Sequence, residues 1–232
     1  MKPLRKNRII SIDPSPNGTA VTYYVGNHLV DYIFSTDAIK RAKKYGKHAI
    51  LIPEVTQGDE NARMERLTVV KGRVLEFIDQ YRVDAIAIED YIWNTHGQSG
   101  GIIQLTELGG VLRLELWERD YRIRTVEPMG VKISWTGSGN AKKKEMMDLA
   151  REALIGSTYE KELCKLPQKE FNNVADAIAL ASLLNYELDM RRGLTLLRDM
   201  PERVRRVMQR TTKAVPDCMI DRPFMDRFAE AT

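Results

Sequence analysis

The first part of the chain carries its apolar positions in short, strand-length runs instead of at helical spacing. Residues 8–14 (RIISIDP), 19–25 (TAVTYYV) and 28–34 (HLVDYIF) are β-branched and aromatic runs of strand length. The stretch 14–18 (PSPNG) carries the residues of a tight turn, and Gly26-Asn27 is a two-residue hairpin signal. The pattern predicts a three-stranded antiparallel meander. Residues 37–58 hold no single period: 37–45 reads as a short helix, and 49–52 as either a short strand or a packed loop.

Helical periodicity begins at Asp59. Ala62, Leu67, Val70, Val74, Phe77 and Ile78 recur at three- and four-residue steps as far as about Tyr81. Residues 83–89 (VDAIAIE) form a short, nearly continuous apolar run, the mark of a strand buried on both faces. A second long helix is predicted over about 100–119. Its Gly109-Gly110 pair costs helix stability and permits close approach of another helix. A fifth strand over 121–126, a short helix over 128–135, a loop over 136–140 and helices over 141–154 and 171–188 follow. This order fits an α/β fold: a mixed five-stranded sheet with helices on both sides. The expected division is a domain over 1–190 and a basic, mostly helical C-terminal extension over 191–232, broken by Pro201, Pro216 and Pro223.

Composition narrows the class. With 43% hydrophobic and 29% charged residues in 232, the chain has a soluble globular balance. It lacks any apolar run long enough for a membrane helix. Its basic start leads into a strand-like run ending in Asp13, not into the apolar core of a signal peptide, so a cytoplasmic protein is expected. Cys164 and Cys218 form no paired motif and read as free thiols. His28, His48 and His96 are scattered without zinc spacing, so carboxylate oxygens are the expected ligands of any metal, which suits magnesium or manganese. The net charge of +4 is mild support for a polyanionic partner. Its clustering adds more: Lys40, Arg41, Lys43, Lys44 and Lys47 form one group, Lys142, Lys143 and Lys144 another, and arginines run through the tail.

Three carboxylates stand out: Asp13 closing the first strand, Glu89 closing the fourth, and Asp176 in a small-residue, apolar stretch of the last helix. Taken singly, each reads as readily as a turn residue, a strand end reaching solvent, or an exposed helix position. Together they can converge at one edge of the sheet, where their repulsion calls for cations. Two magnesium ions would neutralise them and support water attack on a phosphodiester.

Four segments in order, IISIDPSPNGTAV, VDAIAIEDYIW, VKISWTGSGNAKKKEM and NNVADAIALA, resemble the RuvC-type Holliday junction resolvases of the ribonuclease H-like superfamily. The likeness spans roughly residues 8–190, and the third motif with the order and spacing is its most specific part. The resemblance implies a ribonuclease H-like sheet and a homodimer paired through the Gly109-Gly110 helix. It also implies Mg2+ as cofactor, two ions per site with Mn2+ as a substitute, and four-way or other branched DNA as substrate. Paired hydrolytic nicks would leave 5′-phosphate and 3′-hydroxyl ends. By the same resemblance Asp13, Glu89 and Asp176 hold the metal, and Lys143 approaches the scissile strand. Lys142 and Lys144 contact phosphates beside it, and Tyr91 or Trp93 probes the junction centre. Lys132 is a weaker candidate. Asn173 departs from the family: it stands three residues before Asp176, where an Asp is usual, and it offers a metal an oxygen without the charge. That departure leaves two readings, an active resolvase and a catalytically impaired junction-binding protein; RNA–DNA hybrids and flaps are alternative substrates. A nucleotide-binding fold of the actin and sugar-kinase type also opens on a strand ending in Asp. It needs two lobes, for which 232 residues are too few.

Overall fold

Residues 5–15, 17–56, 59–90 and 99–210 are described by the structure, a computed structural model, without the side chains of residues 99–105 and 210. The three β-branched runs form β1 (Arg8–Asp13), β2 (Ala20–Val25) and β3 (His28–Thr36), an antiparallel meander with a register shift at Tyr23/Tyr24. After α1 (Ile39–Tyr45) and a 3-10 turn, β4 (Ala49–Leu51) pairs in parallel with β3. Beyond α2 (Glu60–Asp79), β5 (Ala85–Glu89) pairs in parallel with β1. α3 (Ser99–Glu118) then leads to β6 (Ile123–Val126), parallel to β5. The mixed α/β sheet therefore has six strands, in the order β4-β3-β2-β1-β5-β6, and not five. The extra strand is three residues long, too short to show a period, and its pairing is set by β3.

α4 (Pro128–Thr136), α5 (Lys143–Leu154), α6 (Glu160–Leu163), α7 (Gln168–Arg191) and α8 (Glu202–Arg210) complete the described chain. Gly137, at φ +90°, closes α4 in a left-handed conformation that L side chains avoid. α7 outruns its apolar stretch at both ends, because its polar first and last turns carry no hydrophobic signal.

Side-chain alternation gives the sheet two different faces. Ile10, Ile12, Ile33, Ile86 and Ile88 pack on Val74, Phe77 and Ile78 of α2 and on Leu108, Leu112 and Leu116 of α3. The other face meets α4, α5 and α7. There Ile9, Ala85 and Ala87 lie against Ala181 and Leu184, and Tyr32 and Phe34 against Phe171, Val174 and Ile178. Small residues let α7 come close: the Ser11 hydroxyl donates to the Ala177 carbonyl at 2.7 Å. α8 adds Val204, Val207 and Met208 to the same core. Two arginines of the tail cap α4, Arg203 donating to the Ser134 carbonyl at 3.0 Å and Arg206 to that of Gly137 at 3.2 Å. Residues 211–232, which contain most of the proposed extension, lie outside the described residues.

Where β4 leaves the lower part of β3 unpaired, His48 fills the edge. Its Nε2 lies 3.2 Å from Asp31 Oδ1, at an angle too poor for a good hydrogen bond, and its Nδ1 lies 3.2 Å from Glu162 Oε1. Asp31 foremost, then Glu162, raises the imidazole pKa against the opposing effect of burial. A raised histidine pKa stabilises the fold fully below the ordinary value near 6.5, and that stability is lost as pH climbs through the folded value. His48→Gln should therefore lower the thermal midpoint more at pH 6 than at pH 9. A gap between the two proteins that stays constant across that range would contradict the bridging role.

Candidate active site and metal centre

Period two places Ser11 and Asp13 on the α7 face of β1, and Ala85, Ala87 and Glu89 on the same face of β5. The parallel register Ile12↔Ile88 makes Asp13 and Glu89 neighbours at the C-terminal edge of the sheet. The next residue, Asp90, turns the other way and pairs with Arg113 of α3 at 2.9 Å. α7 brings Asp176 to the same edge. Asp13, Glu89 and Asp176 thus interact at close quarters, as their positions in the sequence suggest.

All three carboxyls hold protons more tightly than usual. Burial raises Asp13 most, followed by the charges of Glu89 and Asp176, with Lys143 opposing. Glu89, the neighbour of Asp13 across the parallel register, is itself pushed up to about 7 by burial and by Asp176. Burial pushes Asp176 up to about 6 against the pull of Lys132 and Lys143. Clustered acids starved of solvent and sited beside lysines are a common mark of a working site.

Lys143 opens α5 and is exposed, with Lys142 and Lys144 exposed on either side. Only Lys143 of the three reaches the carboxylates electrostatically; Lys142 uses its backbone N–H to donate to Glu145 at 3.2 Å. Lys132, on α4, acts on both Glu89 and Asp176, a closer relation than its place in the sequence indicates. Asn173 lies against the β1–β2 turn: a Cβ added at Gly18 would stand 2.1 Å from its Nδ2. Tyr91 and Trp93 lie outside the described residues.

Sequence reading missed Asn172. Its buried amide donates from Nδ2 to Asp176 Oδ2 at 3.3 Å, four residues on along α7. The i to i+4 spacing is the available signal, but Asn173 at i to i+3 competes with it for the same role.

Among the described residues no three His, Cys, Asp or Glu side chains form a ready-made metal cage. Asp13 and Glu89 are close neighbours, and Asp176 is held by Asn172 at 3.3 Å. The donor chemistry nevertheless fits a hard divalent cation. Every donor is an oxygen, the carboxylates repel one another, and Asn172 Oδ1 is buried without a partner among the described residues.

Residues 39–183 match the family model described as Crossover junction endodeoxyribonuclease RuvC. The chain is similar to the crossover junction endodeoxyribonuclease RuvC of Fusobacterium nucleatum, at 27% identity over 173 residues covering 75% of this chain and 77% of that one. It is similar to the same enzyme of Alkaliphilus metalliredigens, at 28% identity over 177 residues covering 75% and 89%. Its fold is similar to that of T. thermophilus RuvC in complex with Holliday junction substrate, with a TM-score of 0.55, 19% identity, and coverage of 81% of this chain and 97% of the other. The family match begins after β3, so it includes Glu89, Lys143, Asn173 and Asp176 but not Asp13.

Proposed function

The chain belongs to the RuvC family of crossover junction endodeoxyribonucleases, and from that premise we propose that it resolves four-way DNA junctions by paired, metal-dependent nicks. The observation that carries the reading is the carboxylate trio at the sheet edge, Asp13 buried and Glu89 and Asp176 half-buried, whose members all have raised proton affinity. Asp13, Glu89 and Asp176 are the residues that would hold magnesium, with Asn172 fixing the orientation of Asp176. When bound, two such ions supply an activated water and charge neutralisation at the phosphodiester. Lys143, exposed beside the trio, steadies charge on the scissile phosphate, and Lys142 and Lys144 hold the neighbouring backbone. The products are 5′-phosphate and 3′-hydroxyl ends.

Paired cuts on opposing strands call for two copies of the site related by a two-fold axis. On α3, Val111, Leu114 and Trp117 stand three residues apart and are exposed by 38%, 55% and 37%. A Cβ on Gly110 would meet nothing within 4 Å among the described residues, which leaves that side of α3 open to another helix. Both features support pairing through α3.

Asn173 favours a second reading, a junction-binding protein with weak or no cleavage. Labelled four-way junction and linear duplex, each in magnesium and in EDTA, separate the two readings when wild-type and Asn173→Asp chains run side by side. Wild type is expected to nick the junction symmetrically in magnesium and to leave the duplex intact. Cutting by Asn173→Asp alone would make the natural chain a recognition protein. The substitution adds a fourth negative charge to a self-repelling trio. It should therefore lower the thermal midpoint in EDTA and enlarge the rise that magnesium produces.

A further inference from the structure

The basic cluster near α1 divides once its partners are known. Arg41 pairs with Glu170, which is 1% exposed, and Lys47 lies 3.4 Å from Asp31. Both are used by the fold. Lys40, Lys43 and Lys44 are exposed, and none has an acidic partner among the described residues; Lys44 lies 4.9 Å over the ring of Tyr45. Their spacing sets them on one face of α1, opposite the inward-packed Ala42 and Tyr45. Three like charges within one turn repel, and a polyanion relieves that repulsion.

The placement of this face singles out its partner. β1 and β3 both run antiparallel to β2, so they are parallel to each other. Thr36 therefore ends β3 at the same sheet edge as Asp13 and Glu89, and α1 begins three residues later. α1 is also tied to the helix of the site. Arg41–Glu170 and the 3.0 Å Lys169–Asp37 pair join it to the first turn of α7, which leads directly to Asn173 and Asp176. β3 and β4 stand two and three strands from β1, roughly 10–14 Å away at the usual strand spacing. A duplex covers that distance in about three to four base-pair steps.

We propose that Lys40, Lys43 and Lys44 form a second DNA-contact surface, which grips the sugar-phosphate backbone of one junction arm about three to four base pairs from the branch point. The proposal rests on the junction-nuclease reading above and adds a surface to it. The rigid tie to α7 makes the contact a ruler, because an arm held on α1 is at a set distance from the carboxylates.

The test is binding of the full chain to a labelled four-way junction over a series of salt concentrations, in EDTA so that no cutting intervenes. Lys40→Ala/Lys43→Ala/Lys44→Ala is compared with Lys6→Ala/Arg82→Ala, which removes exposed cations that precede β1 and β5, at the opposite end of the sheet from Asp13 and Glu89. The α1 variant should bind about tenfold or more weakly at low salt, and its log–log salt slope should fall by about 2–3, one unit per lost phosphate contact. The Lys6→Ala/Arg82→Ala variant should match wild type. Methylphosphonates three to four base pairs from the branch should weaken wild type and leave the α1 variant unaffected. An α1 variant with wild-type affinity and slope overturns the surface and leaves the nuclease reading standing. A wild-type chain that fails to bind the junction at all overturns both.

Discussion

Asp13→Asn is expected to abolish junction cleavage while making the metal-free protein more stable. Removing one of three carboxylates that hold the reactive centre should lower the cutting rate by roughly 10³-fold or more, the scale seen on removing a transition-state stabiliser. Junction binding should persist, because the lysines that meet phosphate are untouched. The stability effect follows from the raised proton affinity of Asp13, caused first by burial and then by Glu89 and Asp176. For a carboxyl with a raised folded pKa, the folded state binds the proton more tightly than the unfolded chain does. Its contribution therefore turns against folding as pH climbs above the unfolded value near 3.9, and grows until the folded pKa is reached. The asparagine amide carries no such dependence. At pH 4 the two proteins should melt together; by pH 7 the variant should melt at the higher temperature. Magnesium should reverse the order by raising the wild-type midpoint and moving that of the variant little. A variant that melts early at every pH, and loses binding with cutting, would assign Asp13 to the scaffold and not to chemistry.

Much of this site can be read from the chain because strands announce their faces. Ser11 and Asp13, and Ala85, Ala87 and Glu89, sit two apart, so a shared register is enough to put both acids on the helix side. The helix itself shows in the small residues around Asp176, which let its backbone approach β1. What stays hidden depends on partners distant in sequence. β4 is a strand only because β3 offers an edge. Arg41 reads as one more surface cation until Glu170, 129 residues away, takes it out of the exposed cluster. Lys132 owes its relation to the carboxylates to the packing of α4 against α7 at one edge, which no local spacing encodes, while Asn172, four residues before Asp176, stands in the shadow of Asn173.

The largest loss of stability should come from a residue remote from that edge. Glu187 is 1% exposed and is gripped on both sides: Arg124 Nε reaches its Oε2 at 2.9 Å, and Arg191 Nη2 reaches its Oε1 at 2.7 Å. Arg124 belongs to the edge strand β6 and is itself 8% exposed, so this triad ties the sheet margin to the end of α7. Glu187→Ala would leave two guanidinium groups facing each other with little water. Breaking a buried ion pair from one side costs about 3–5 kcal/mol. In a chain of this size that is roughly 10 °C of thermal midpoint. Replacing all three partners, with Glu187→Leu, Arg124→Met and Arg191→Leu together, should recover most of the loss, because the desolvation of the charges disappears with them. Glu187 lies eleven residues beyond Asp176, about 16 Å along the helix. Junction cleavage by Glu187→Ala, measured well below its midpoint, should therefore stay within about twofold of wild type. A single variant that melts within 1 kcal/mol of wild type would mean that the triad is hydrated enough to dispense with its acid. One that melts normally but cuts poorly would mean that the lower half of α7 transmits to the site.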